Sequence, residues 1–255
     1  MKNTTLSESL RTKSSPSTDI ENLTVHTIGK LHSCFKEKFG IPRQPGLATA
    51  ATAVLELSGE YASMNAVRGL EDCTHIWVLF LFSEHLDRGW TPLVRPPRSQ
   101  GGKMGVFATR STFRPNPIGM SAVKLERIEE VAGKPLLHLS GVDILDGTPV
   151  IDIKPYLPYS DSLAEAHNEY APDKQELSLP LDFSELAESQ LRQQGNPGLF
   201  RQLIEQVLRS DPRPAHLRNK KPERSYGTLL HNCNVRWKIA KDRIEVMAIE
   251  AAESE

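Results

Sequence analysis

In HIWVLFLF, His75 to Phe82, every residue after the histidine is apolar and three are aromatic. Eight residues make only about two helical turns, so a run of this length and type suits a strand better than a helix. The lack of polar alternation predicts a central strand buried on both faces.

Outward from this run the same pattern recurs in shorter form. Toward the N-terminus, LTVHTIGKL (Leu23 to Leu31) alternates like a half-buried strand, and Val54 to Leu57 reads as another. Toward the C-terminus, Met104 to Thr109, Met120 to Ile128, Leu136 to Leu139, Gly141 to Leu145 and Thr148 to Ile153 follow, with Asp146-Gly147 as a turn. The connections are rich in proline and glycine: KEKFGIPRQPGL at 36–47 and TPLVRPPRSQGG at 91–102. Tyr61 to Leu70 reads as one helical or irregular segment. Many short strands with few helices predict a barrel or sandwich, and exclude a βαβ fold.

After Tyr159 the composition shifts. Residues 161–180 are acidic and turn-rich, a linker. Phe183 to Gln194 and Pro197 to Arg209 read as helices, the second with Leu199, Leu203, Val207 and Leu208 as its apolar stripe and Pro197 in its first turn. Asn234 to Ala240 and Ile244 to Ile249 form a hairpin. The expected organisation is therefore mainly β: a disordered tail at 1–21, a β domain at 22–160, the acidic linker at 161–180, and a small α+β C-terminal domain at 181–255.

Net charge is −1, yet it is unevenly spread. Arg88 to Arg114 holds Arg88, Arg95, Arg98, Lys103, Arg110 and Arg114 without one acidic residue. Arg209 to Arg224 holds six basic residues against Asp211 and Glu223, whereas Asp161 to Glu188 holds eight acids against Lys174. Local patches govern polyanion binding, so a near-neutral total leaves an RNA partner open. Cys34, Cys73 and Cys233 are too few and too scattered for a disulfide framework, which points to a reducing, cytoplasmic setting. No apolar run approaches the ~20 residues of a membrane helix. No metal-ligand spacing, Walker loop or Rossmann glycine fingerprint is present.

The densest candidate for chemistry is GVFATRSTFRPNPIGMS, Gly105 to Ser121. Arg110 and Arg114 precede Pro115 and Pro117, which stiffen the chain, and Gly119, which permits close approach. A guanidinium presented in a fixed direction suits a carboxylate or phosphate. Asp143 lies inside an apolar run, so its carboxylate must be paired or functional. Asp146 also serves as a turn residue, and Arg43 sits in the rigid Pro42-to-Gly46 loop.

Taken together and in this order, KFGIPRQPGL, AVRGLEDCTHIWVLFLF, GWTPLVRPPR, MGVFATRSTFRPNPIGMS and DGTPVIDIKPYLPY resemble the TrmO family, also called TsaA-like or YaeB. The likeness is dense from Thr27 to Tyr159 and continues through DPRPAHLRNKKPERSYG and HNCNVRWKI. It implies a TsaA-like β-barrel methyltransferase domain of the non-Rossmann type. It also implies a homodimer, and transfer of methyl from S-adenosylmethionine to N6 of threonylcarbamoyladenosine at position 37 of the anticodon loop of threonine tRNA.

Carried over by position, the resemblance puts cofactor contacts at Pro42, Arg43, Gln44, Ser83, Glu84, Arg110, Met120, Asp143, Ile144, Leu145 and Asp146. Where relatives have a histidine–glutamine-like pair, this chain has Ser83-Glu84. Arg88, Arg95, Arg98, Lys103, Arg213, Arg218, Lys220, Lys221 and Arg224 are the expected tRNA contacts, with Trp90 and Tyr226 as possible stacking groups. Asn116 is a candidate acceptor for the amine proton. No metal or membrane is expected. The competing expectation is a non-catalytic RNA-binding module using the same basic faces.

Overall fold

The computed structural model describes residues 23–96, 102–171, 176–213, 224–240 and 242–252. Six strands close into an antiparallel barrel. They are β1 (Gly29–Ser33), β2 (Thr52–Leu57), β3 (His75–Leu81), β6 (Ile118–Val131), β7 (Lys134–Ser140) and β8 (Thr148–Pro155), in the order β1-β2-β7-β6-β3-β8. Closure pairs β1 with β8 through Gly29↔Val150 and Leu31↔Thr148, so the sheet keeps no bare edge. Between β3 and β6 a long arm leaves the barrel. It carries a two-stranded ribbon, β4 (Leu93–Val94) with β5 (Met104–Gly105), followed by a 3-10 turn at Val106–Ala108.

Sequence and structure differ at several places. The strand expected from Leu23 to Leu31 begins only at Gly29 and runs on to Ser33, and Phe183, expected to open a helix, ends a strand, with the helix starting at Glu185. The strand expected at Met104 to Thr109 ends after Gly105, because the chain turns at Val106. Gly141 to Leu145 is a loop, turned by Gly141 at φ 72°. And β3 is buried on one face only. Ile76, Val78 and Phe80 fill the barrel, whereas Trp77, Leu79 and Leu81 are half-buried on the outside. A barrel has a single interior, so an uninterrupted apolar strand leaves apolar side chains on its outer wall.

The C-terminal part pairs β9 (Leu181–Phe183), β10 (Ser225–Leu230), β11 (Cys233–Ala240) and β12 (Arg243–Ala251) in the order β10-β11-β12-β9, with β9 parallel to β12. Of these, β9 and β10 carry no sequence signal strong enough to be anticipated. Two helices, α2 (Glu185–Arg192) and α3 (Pro197–Arg209), complete the domain. A short turn of helix, α1 (Pro158–Asp161), lies between barrel and domain. Ser184 caps α2 by accepting from Ala187 N at 3.1 Å, and Asn196 caps α3 by accepting from Leu199 N at 3.1 Å. The buried stripe of α3 is Phe200, Leu203, Ile204, Val207 and Leu208; it includes the expected Leu203, Val207 and Leu208 and leaves Leu199 exposed.

The two parts share one apolar core. Gln206 of α3 accepts from Ala50 N and donates to Thr49 Oγ1, both at 2.9 Å, and His231 N donates to Cys34 O at 2.7 Å. The domain therefore packs against the segment joining β1 to β2. Burial pushes the Cys34 thiol up to about 12, which makes it an inert packing group.

Candidate functional site

Antiparallel closure fixes which loops meet. The ends of β1, β3 and β7 and the starts of β2, β6 and β8 all fall at one mouth of the barrel. Three connections therefore gather there: residues 34–51, the arm at 82–117, and the loop 141–147. They hold all but one of the residues expected to contact the cofactor, and Met120 lies at the start of β6 beside them.

The loops are tied to one another. Gly46 N donates to Gly141 O at 2.8 Å, and Asp146 N donates to Phe35 O at 2.8 Å. Arg110 reaches from the arm to the first loop, where its guanidinium donates to Gln44 Oε1. Pro42 is buried, and Arg43 and Gln44 are half-buried beside it. Glu84 pairs with Lys38 of the same first loop at 3.4 Å, while both side chains remain largely exposed. Ser83 opens a 3-10 segment, Ser83–Arg88, and is half-buried. His85, one residue beyond Glu84, packs edge-on against Phe113 with ring centroids 5.1 Å apart. Burial, with Lys38 and Arg88 nearby, holds its pKa below the ordinary value.

Asp143 and Asp146 have different surroundings. Asp146 accepts from Ser33 N at 2.8 Å and pairs with Lys36 at 2.8 Å, which fastens the loop to the end of β1. Asp143 accepts from Ser121 Oγ at 2.6 Å. Burial pushes its carboxyl up to about 6, against the opposing pull of the Ser121 hydroxyl and the Arg110 guanidinium. Ser121 was not expected at the site. Its inward position follows from strand alternation, since Met120 beside it points to the outer wall and is about half exposed. The side chain meeting Asp143 is thus that of Ser121, and Met120 adjoins the site through its main chain. Ile144 is buried, and its carbonyl accepts from Ser33 Oγ at 2.7 Å. Leu145 is half-buried, its carbonyl taken by the Thr148 hydroxyl at 2.7 Å.

Arg110 and Arg114, alike in sequence, part company in the structure. Arg114 turns back on the arm and donates to Val106 O at 3.2 Å and Thr109 O at 2.7 Å, with its guanidinium 5.8 Å from the Phe107 ring centroid. Arg114 is a clamp for the arm, and Arg110 is left to face the mouth.

Of the expected RNA contacts, Arg88, Arg95, Lys103 and Arg224 are exposed. Arg213 forms a two-point pair with Asp211, Nε to Oδ1 at 2.7 Å and Nη2 to Oδ2 at 3.1 Å, with only 12% of its side chain exposed. Its charge is spent within the domain. Arg98, Arg218, Lys220 and Lys221 lie outside the described residues. Tyr226 stacks on Trp237 at 4.9 Å and lies 6.3 Å from Phe39, with Arg224 over its ring at 5.6 Å, so it is a packing residue. Trp90 is 56% exposed. A depression of about 290 Å³ between barrel and C-terminal domain, lined by Thr52, Gln194, Phe200 and His231 among others, contains none of the expected site residues. Among the described residues no cluster of metal-ligating side chains occurs, and no helix is long and apolar enough to cross a membrane.

A closed antiparallel barrel with a polar, loop-built mouth and no Rossmann layer defines a barrel-type enzyme domain carrying a second, sheet-based domain. The chain belongs to the TrmO family: residues 30–162 match the tRNA-methyltransferase O N-terminal domain and residues 176–252 the TrmO C-terminal domain. It is 45% identical over 228 residues to the tRNA (adenine(37)-N6)-methyltransferase of Escherichia coli, covering 88% of this chain and 96% of that one. A Pseudomonas aeruginosa protein described as a putative S-adenosylmethionine-dependent methyltransferase is 47% identical over 231 residues, with 88% and 96% covered. The crystal structure of TrmO from Pseudomonas aeruginosa superposes with a TM-score of 0.73 at 41% identity, covering 90% of this chain and 99% of that one.

Proposed function

We propose that the protein transfers methyl from S-adenosylmethionine to N6 of adenosine 37 in tRNA, that its preferred substrate carries threonylcarbamoyladenosine there, and that threonine tRNA is the main target. The observation that carries this reading is the meeting of Arg110, Gln44 and Asp143 at the barrel mouth, at the root of an arm that holds no acidic residue from Arg88 to Arg114. The names of the related enzymes support methyl transfer from S-adenosylmethionine and adenine 37 of tRNA as its target.

The donor set suits this cofactor. A guanidinium aimed by a neutral amide matches the carboxylate of an amino acid. A carboxylate with four acceptor sites, one of them occupied by Ser121, matches an ammonium group or a ribose diol. When bound, S-adenosylmethionine supplies an electrophilic methyl carried on a sulfonium. Pro42 to Gln44, Arg110, Met120 and Asp143 to Asp146 would hold it, with Ser83 and Glu84 at the neighbouring root of the arm. Methyl transfer asks the protein chiefly to align donor and amine, and loops fastened by Gly46–Gly141, Asp146–Lys36 and Arg114–Thr109 provide fixed walls for that. Asn116, exposed at the root of the arm, has a side-chain oxygen suited to accept the amine proton. Arg88, Arg95, Lys103 and Arg224, with Arg98, Arg218, Lys220 and Lys221, would meet the RNA backbone, and the chain would act in the cytoplasm.

The protein would be a homodimer. The outer wall of β6 and β3 carries Ile118, Met120, Trp77, Leu79 and Leu81, and Met120 in this row adjoins the mouth.

The test supplies donor and tRNA with or without threonylcarbamoyladenosine at position 37, then weighs the nucleosides. One added methyl on threonylcarbamoyladenosine is the expected result. Methyl on plain adenosine alone would overturn the substrate, and no methyl from folded protein would overturn the activity.

A further inference from the structure

Phe107 stands out among the large apolar side chains because it is 73% exposed on a segment that is otherwise firmly fixed. The residue before it, Val106, is 1% exposed and anchors the 3-10 turn in the arm. That turn is closed by Thr109 N and Thr109 Oγ1, which both donate to Val106 O, at 3.1 and 2.9 Å. Arg114 adds its two carbonyl contacts and holds its guanidinium 5.8 Å from the Phe107 ring centroid. An aromatic ring is thus presented to solvent on a rigid turn, with a cation over one face, three residues in sequence from Arg110 at the barrel mouth.

From Arg88 to Arg114 the arm carries basic residues and no acid. Arg88, Arg95, Lys103 and Arg110 are exposed, none of them in an ion pair with a described residue. The same arm holds a depression of about 270 Å³ lined by Thr91, Leu93, Arg95, Ser111 and Phe113. Hydroxyls and a guanidinium around a small hollow are groups that take phosphate and ribose. A ring with a flanking guanidinium is what splayed-out single-stranded bases stack on.

We propose that Phe107, backed by Arg114, is the stacking platform for an unpaired nucleobase of the tRNA anticodon loop. This rests on the reading of the protein as a tRNA methyltransferase and adds to it the group that holds the loop open. The platform binds the RNA base and not the donor's adenine: Phe107 sits out on the arm, whereas Asp143, Gln44 and the loops beside them form the mouth. Phe107 is a binding residue, and no bond changes at it.

The experiment uses the full chain and an anticodon stem-loop RNA with 2-aminopurine in the loop. Wild-type protein quenches the fluorophore as it stacks. Phe107→Ala weakens RNA binding about 5- to 150-fold, the range that loss of one stacked base gives, and abolishes the quench. Phe107→Tyr and Phe107→Trp restore both. Binding of S-adenosylhomocysteine and the mass in solution stay as in wild type. Phe107→Ala with undiminished RNA affinity overturns the platform, as does a loss of donor affinity or of oligomeric state that accounts for the defect. Methyl transfer by the wild type is scored separately. If it occurs while Phe107→Ala behaves normally, only the platform falls. If wild type neither binds the RNA nor methylates it, the functional reading and the platform fall together.

Discussion

Ser121 Oγ donates to Asp143 Oδ1 at 2.6 Å, and this one hydrogen bond joins the first strand of the arm's return path to the loop that closes the barrel mouth. The bond favours the ionised carboxylate, yet burial outweighs it and lifts the Asp143 carboxyl up to about 6. The sign for stability follows. Between the ordinary carboxylate range and about 6, the folded protein keeps a proton that the unfolded chain gives up, so stability falls as pH rises through that window. Above it Asp143 is charged in both states and the cost, on the order of 3 kcal/mol, is fully present.

Asp143→Asn removes that cost. Its melting temperature should exceed that of wild type at neutral pH, and the two should converge in acid. Donor affinity should fall in the same variant, because the amide carries no charge for an ammonium. A series of melts across pH with and without S-adenosylhomocysteine measures both. A difference in melting temperature independent of pH would remove Asp143 from this role.

Arg110 and Arg114 should separate cleanly on mutation. Arg110→Ala leaves the fold within about 0.5 kcal/mol, since its side chain is exposed, but abolishes stabilisation by the donor. Arg114→Ala deprives Thr109 O of its guanidinium partner and should cost about 1–3 kcal/mol locally, with faster proteolysis of the arm. Donor-dependent melting and limited proteolysis read the two effects. Arg110→Lys should not rescue donor binding, because a single ammonium does not reproduce the planar fork.

The difference between these arginines shows where the sequence stops being informative. Alternation and turn residues locate β6, β7, β8, β11 and β12, because those strands have one wet and one dry face. They also place Asp146-Gly147, where Gly147 adopts φ 76°. Local sequence does not reveal that Arg114 folds back onto carbonyls five and eight residues earlier, since that depends on the 3-10 turn of the arm. It hides Ser121 as well, because a serine in a strand is unremarkable until the loop at 141–147 is brought against it. The two-point pair of Arg213 with Asp211 was masked by the basic character of its surroundings. Conversely Asp143, a carboxylate in an apolar run, was conspicuous without any structure, and its shifted pKa has the same origin.

Gly119 offers a packing test. It lies opposite Phe80 in the β3–β6 pair, and a Cβ there would stand 2.4 Å from Phe80 Cζ. The close approach expected of this glycine is made by an aromatic ring of the barrel interior. Gly119→Ala should therefore destabilise by about 1–3 kcal/mol through overpacking. Phe80→Leu makes room, so Gly119→Ala should cost less in that background, and a double-mutant cycle by urea denaturation gives the coupling. Equal costs in both backgrounds would show that the clash relaxes elsewhere.

The outer wall of β3 supplies the test of assembly. Strand alternation and register place Trp77, Leu79 and Leu81 on the same face as Ile118 and Met120, and Met120 remains 51% exposed. A second copy seated on this wall would bury the row, and a glutamate introduced there would be left in an apolar interface without a partner. Met120→Glu should therefore convert a dimer to a monomer in light scattering while the circular dichroism of the barrel is unchanged. Because the main chain of Met120 adjoins Ser121 at the barrel mouth, the monomer's donor affinity then reports whether each site draws on both copies. Unchanged affinity in the monomer means that each barrel carries a whole site. A Met120→Glu protein that remains dimeric moves the interface to another face, and the apolar outer side of HIWVLFLF would need a different occupant.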